Sequence, residues 1–315
     1  MNNPPPRTIY FSFIVFAAAV VVALSWPVGA PAAVPATRVS ASVACADIAP
    51  SLSLVAEGAY AVDLSTGTVL YAKNAETPLP LASVTKLMTV LVASRVLAPD
   101  SVVTITPEAL ATEGDAGFVA NERWTFQDLV DYTLTVSAND GAEAIALAAA
   151  GKEGISLTDF YKQMNDEAQA LGMYQTFYAS ATGLDISTTT AGSYGTARDM
   201  AILLDHIVSA DPRLIEGTDA VQKTFTSLSG YTHLAKNTSS VVGSLLGAIG
   251  QKTGYTDLAG GNLVEVFEPM PGHPVAAVIL GSTLANRDND MEMLAAGATD
   301  ALKRMLLCQD GLESP

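Results

Sequence analysis

The chain has 315 residues, 49% of them hydrophobic, which suits one large domain or two small ones around a packed core. Its formal charge of −16 argues against nucleic-acid binding and against electrostatic docking on anionic lipid, both of which need clustered Lys and Arg. Two cysteines, Cys45 and Cys308, and three histidines, His206, His233 and His273, form no Cys-x-x-Cys or Cys/His cluster, which argues against a zinc site.

Residues 9–26 are almost wholly apolar and follow Arg7. They read as an export signal, cleaved near Val28-Gly29-Ala30 or retained as an N-terminal membrane anchor. Residues 27–50 are rich in Ala, Pro, Val and Ser without periodicity and read as a linker. The folded part spans 51–310. Residues 59–63 and 68–72 alternate as strands around the turn Ser65-Thr66-Gly67. Residues 82–97 carry Leu87, Met88, Leu91, Val92 and Val96 at helical spacing. Helices follow at 126–134, 140–150, 157–171 and 197–207. An edge strand starts near Ile249, strands follow at 261–266 and 275–280, and a helix closes the chain at 290–307. The order predicts an α/β chain of the α+β kind, with an antiparallel sheet built from both chain ends and a helical insertion between them. In an exported protein, Cys45 and Cys308 are candidates for a disulfide.

Three short motifs could carry chemistry. In Ser83-Val84-Thr85-Lys86 the spacing puts hydroxyl and amine on one helix face, and a neutral Lys can serve as base for a Ser nucleophile. A helix N-terminus and nearby cations would lower that Lys pKa. In Ser137-Ala138-Asn139 a hydroxyl can relay a proton and an amide can bind a carbonyl, although the same residues also suit a helix cap. In Lys252-Thr253-Gly254, followed by Tyr255, a cation and a hydroxyl can hold a carboxylate, while Gly254 leaves room against the strand. Each motif alone is weak. Together, in this order and on these elements, they are the set of serine acyltransferases that includes β-lactamases and penicillin-binding proteins.

The chain resembles the low-molecular-weight D-alanyl-D-alanine carboxypeptidases related to penicillin-binding protein 5. The likeness extends to Pro80-Leu81-Ala82, Met164-Asn165, Gly183-Leu184-Asp185, Thr196-Ala197-Arg198-Asp199-Met200 and Ala259-Gly260. It implies a β-lactamase/transpeptidase-like fold and an extracytoplasmic enzyme acting on peptidoglycan stem peptides. It further implies Ser83 as nucleophile, Lys86 as general base and Ser137 as proton relay. Asn139, Lys252, Thr253, Gly254 and Tyr255 would bind substrate, with the Ser83 and Tyr255 N–H groups holding the oxyanion. The resemblance calls for no cofactor or metal and makes β-lactams acylating inhibitors of Ser83. There are departures. Lys236 and Asn237 stand where the resemblance leads one to expect an Arg-containing stretch, and Arg287 resembles the Arg that follows the late strand in relatives. Many relatives carry a further β-rich domain and an amphipathic C-terminal helix, which residues 308–315 do not hold, so membrane attachment would fall to the N-terminal run.

Two other reactions use the same residues. A class A β-lactamase needs a Glu that activates the deacylating water, and Glu143, Glu153, Glu167 and Glu216 lack the sequence context for it. A D-alanyl-diaminopimelate endopeptidase would differ only beyond the leaving-group pocket. A non-catalytic wall-binding protein on the same fold is the alternative from another class.

Overall fold

The structure is a computed structural model that describes residues 50–309. The apolar run, the linker up to residue 49 and Cys45 lie outside the described residues, and with Cys45 the Cys45–Cys308 pairing.

The strands are β1 (Gly58–Asp63), β2 (Thr68–Lys73), β3 (Leu79–Pro80), β4 (Val102–Thr104), β5 (Arg123–Thr125), β6 (Phe177–Tyr178), β7 (Ser193–Gly195), β8 (Gln222–Thr226), β9 (Thr232–Lys236), β10 (Ala248–Thr256), β11 (Gly260–Met270) and β12 (His273–Ser282). The helices are α1 (Lys86–Ala93), α2 (Phe126–Val136), α3 (Asn139–Glu153), α4 (Leu157–Ala170), α5 (Ala197–Ala210), α6 (Arg213–Glu216) and α7 (Arg287–Gln309).

The main sheet runs β10-β11-β12-β1-β2, with every pairing antiparallel. It joins the first two strands to the last three, as the order of elements predicts. Successive strand residues point to opposite faces, and here both faces are apolar. Val264, Val266, Ala276, Val278 and Leu280 pack into the larger core with α1–α5. Leu263, Phe267, Val275, Ala277 and Ile279 pack into a second core under α7. Helix α3 is rich in alanine and buries Ala142, Ala144, Ile145, Ala146, Ala149 and Ala150. Such small side chains let α1, α2 and α4 crowd around it.

Local sequence marks the helix starts. The Thr125 side chain accepts from the Asp128 N–H, that of Thr196 accepts from Asp199, and Ser156 with Asp159 forms a capping box. Three features depart from expectation. The helix at 82 opens as a 3-10 turn, Ala82–Thr85, and α1 ends at Ala93. Pro80 belongs to β3, an outer strand of the small sheet β3-β7-β6, where its missing N–H costs no ladder bond. The hairpin β8–β9 has an exposed face of Gln, Thr, Leu and Lys, whose mostly polar alternation is a weak strand signal.

Candidate active site

Ser83 sits in the 3-10 turn between β3 and α1. Ala82, just before it, has φ +48°, a left-handed conformation that costs a side-chain-bearing residue about 1–2 kcal/mol. The surroundings impose that turn. Leu81 N–H donates to Ser193 O at 3.1 Å, and Asn262 Nδ2 donates to Pro80 O at 2.9 Å. Two glycines approach the turn closely. A Cβ on Gly183 would lie 1.9 Å from Ala82 O, and one on Gly254 would lie 2.8 Å from Leu81 O. The room expected at Gly254 is therefore filled by the turn that carries Ser83.

Lys86 follows one turn later and is fully buried. Its Nζ lies 2.6 Å from Ser83 Oγ, 2.7 Å from Asn139 Oδ1 and 3.0 Å from Thr182 O. Burial lowers its pKa to about 7, against an opposing pull from the Asp140 carboxylate. The amine is thus close to half neutral at neutral pH.

Ser137 caps α2 with φ +63°, a second strained residue beside the site. This bend turns the chain from α2 into α3 and brings Asn139 to Lys86. Asn139 Nδ2 donates in turn to Glu113 O at 2.9 Å. Lys252, on edge strand β10, donates to Ser137 Oγ at 2.9 Å and to Thr253 O at 2.7 Å. Burial first, then the charges of Lys86 and Arg287, hold the Lys252 pKa well below the usual lysine range. Two chemical groups converge here: a hydroxyl bonded to a deprotonable amine, and a second amine bonded to a second hydroxyl. That is an arrangement for acyl transfer through a serine ester. Among the described residues no group of three or more His, Cys, Asp or Glu side chains is placed to hold a metal ion.

Residues 44–283 match the family described as D-alanyl-D-alanine carboxypeptidase, peptidase S11. The chain belongs to this D-alanyl-D-alanine carboxypeptidase family. It is 29% identical over 207 residues to D-alanyl-D-alanine carboxypeptidase DacF of Bacillus subtilis, covering 64% of this chain and 51% of that protein. It is 33% identical over 236 residues to a D-alanyl-D-alanine endopeptidase of Pseudomonas aeruginosa, covering 73% of each. Penicillin-binding protein D2 of Listeria monocytogenes, solved in an ampicillin-bound form, superposes with TM-score 0.65 at 30% identity, covering 79% of this chain and 99% of that one. The chain thus spans about half the length of the Bacillus carboxypeptidase.

In this carboxypeptidase-family chain the remaining sequence candidates divide. Thr253 Oγ1 lies 2.5 Å from Thr238 Oγ1. Tyr255 follows on β10 with its ring half-exposed. Asn237 is engaged with the 218–220 segment, its Nδ2 donating to Thr218 O and Ala220 O. Lys236 is exposed on β9. Arg287 holds the wall of the site from behind, its Nη2 donating to Thr238 O at 2.9 Å and its Nε to Asp288 at 2.7 Å. Three of the glutamates weighed for a β-lactamase have partners outside the Ser83 cluster: Glu143 with Tyr161, Glu153 with Gln163, and Glu167 with Arg95.

Three participants were not visible as sequence candidates. Thr182 contributes a backbone carbonyl, which carries no residue signature. Thr238 meets Thr253 only through the tertiary fold. Asp140 reads as a helix-start acid, yet its Oδ2 accepts from Ala116 N–H and its charge acts on Lys86. The run Ser137-Ala138-Asn139-Asp140 was the one available signal for the last.

Proposed function

We propose that the chain is a serine-type D-Ala-D-Ala carboxypeptidase that removes the terminal D-alanine of peptidoglycan stem peptides through an acyl-enzyme on Ser83. The observation that carries this reading is the environment of Lys86. A neutral amine has two N–H bonds and one lone pair. Asn139 Oδ1 and Thr182 O take the two N–H bonds, which leaves the lone pair facing Ser83 Oγ. Ser83 O–H then donates to Lys86 as Oγ bonds to the carbonyl carbon of the penultimate D-alanine. The N–H groups of Ser83 and Tyr255 hold the oxyanion. The C–N bond breaks, and the proton that Lys86 took from Ser83 passes through Ser137, beside Lys252, to the leaving amine, which returns Lys86 to its neutral form. Water, deprotonated in turn by Lys86, hydrolyses the ester.

Lys252, with Thr253 and Thr238, takes the terminal carboxylate. An arriving carboxylate favours the charged form of Lys252, which burial and the neighbouring cations disfavour in its absence. Asn139 orients the acyl chain, and Gly254 lets the strand lie close against Ser83. β-Lactams acylate Ser83 and stay, because the leaving group remains tethered. The same residues would cut a cross-link if the leaving-group side admitted a larger amine, a reading favoured by the similarity to the Pseudomonas endopeptidase. The substrate sets the location outside the cytoplasm. Residues 1–26 would serve as signal or N-terminal anchor, residues 27–50 as linker, and Cys45 and Cys308 as a disulfide.

The test is intact-protein mass spectrometry after incubation with benzylpenicillin. A stable adduct of one penicilloyl unit is expected on the wild type and none on Ser83→Ala. No adduct with intact drug would overturn the reading, and no adduct with consumed drug would favour a β-lactamase. Product analysis on pentapeptide and cross-linked muropeptides separates carboxypeptidase from endopeptidase.

A further inference from the structure

Glu265 is a buried acid that the chemistry above does not use. It lies in mid-β11 and is 1% exposed. Strand alternation turns it, with Leu263 and Phe267, to the α7 face of the sheet. Directly opposite on β10 stands Gln251, 4% exposed, and the next two residues on that strand are Lys252 and Thr253. Side chains opposed across an antiparallel ladder have Cβ atoms about 4.5–5.5 Å apart, within reach of two such long groups. Yet Glu265 Oε2 and Gln251 Oε1 are both buried without a hydrogen-bond partner. Native interiors rarely leave two facing acceptors without a donor. One proton resolves both, with Glu265 O–H donating to Gln251 Oε1.

We infer that Glu265 is a protonated, hydrogen-bond-donating acid that ties Gln251 across the ladder and so positions β10, the strand that presents Lys252 and Thr253. Glu265 is a positioning residue. That it bears on substrate rests on the function proposed for those two side chains. The charged groups that α7 brings to this side are Asp288, whose charge acts on Glu265, Arg287, paired to Asp288 at 2.7 Å, and the buried Asp290, which accepts from the N–H groups of Val55 and Ala56 and from Ser282 Oγ. From β12 the ladder partner is Ala277, and from β10 it is Gln251, neither charged. Burial, then the Asp288 charge, pushes the Glu265 pKa up to about 8. The folded state therefore holds this proton more tightly than the unfolded chain. The stability it confers is complete below the ordinary glutamate range and is lost as pH rises through about 8.

Infrared difference spectroscopy tests this directly. The wild type at pH 7 is expected to show a carboxylic-acid C=O band that Glu265→Gln removes, with Glu265→Met as the second variant if the first misfolds. Between pH 7 and pH 9 the wild-type Tm is expected to fall by roughly 2–4 °C more than that of Glu265→Gln. The benzylpenicillin acylation rate at pH 9 relative to pH 7 is expected to be higher in Glu265→Gln than in the wild type. Absence of the band, with parallel Tm curves, would overturn the inference, because Gln251 would then be turned to donate to an ionised Glu265. A band with identical acylation ratios would overturn the positioning role. Neither the infrared nor the Tm readout depends on Ser83 being acylated, so failure of the proposed function is told apart from failure here.

Discussion

The site contains two buried lysines, one from the helical region and one from the sheet, and they differ in company rather than in burial. Lys86 has three oxygen acceptors around its Nζ and a carboxylate, Asp140, that offsets part of its desolvation. Lys252 has Ser137 Oγ and Thr253 O, and its charged neighbours are two cations, Lys86 and Arg287. Desolvation penalises the charge in both. Asp140 keeps Lys86 near the pH at which a base is most useful, whereas Lys252 is left short of an anion. In the proposed function a free carboxylate on the ligand would supply one. The helical half is thereby suited to proton transfer and the strand half to anion capture.

The most severe way to break that division is Lys86→Met. It keeps the volume and removes the base, so acylation by benzylpenicillin is expected to fall about 10²–10⁴-fold, the range of general-base catalysis. Stopped-flow or competition kinetics measure it. The same change removes the nearest like charge from Lys252, so the Lys252 pKa should rise towards its usual value. A Lys86→Met enzyme acylating within a few-fold of the wild type would place the base elsewhere.

The strand half calls for a smaller and different effect. Thr253→Val removes a hydroxyl that lies beside Thr238 Oγ1. A hydrogen bond to a charged group contributes about 1.5–3 kcal/mol, so KM for a D-Ala-D-Ala peptide should rise roughly ten- to a hundredfold. kcat should change less, and the analogue ending in a carboxamide should lose little. An effect confined to kcat would erase the distinction between the two halves.

The sequence exposes the two halves unequally. Leu87, Met88, Leu91 and Val92 repeat at helical spacing, and Thr125, Ser156 and Thr196 supply caps, so most helix starts can be read within a few residues. The strands β11 and β12 are legible for the same kind of reason, since Leu263, Val264 and Val266 on β11 and most of 275–280 on β12 are β-branched or aliphatic. The motif residues that meet at Ser83 are also legible, because each is a short local pattern. Ala82 gives no hint of a left-handed backbone. That conformation occurs where Gly183 and Gly254, from distant parts of the chain, approach the turn closely. Likewise the Thr182 carbonyl and the Thr238–Thr253 contact arise from tertiary packing, for which single-residue chemistry carries no pattern.

The finest test concerns Asp140. With the Lys86 pKa near 7 and the neutral amine as reactive form, wild-type acylation should rise about tenfold from pH 6 to pH 8 and level off above. The stability linked to Lys86 follows the same sense. Its folded pKa is depressed, so stability is gained as pH climbs from about 7 towards the ordinary lysine value and is lost as pH falls through 7. Asp140 is the group that opposes this depression. Asp140→Asn removes the charge and keeps one of the two acceptor oxygens that now take the Ala116 and Gly141 N–H groups. Lys86 should then lose its proton at lower pH, so the acid limb should move down by less than one pH unit, with the plateau rate little changed. Movement of the limb to higher pH would contradict an electrostatic role for Asp140, because removing a negative charge lowers the pKa of any neighbouring group, amine or carboxyl. A limb that stays put would show that Asp140 is itself neutral over this range, as its own burial favours. In that case the low Lys86 pKa is set by desolvation alone.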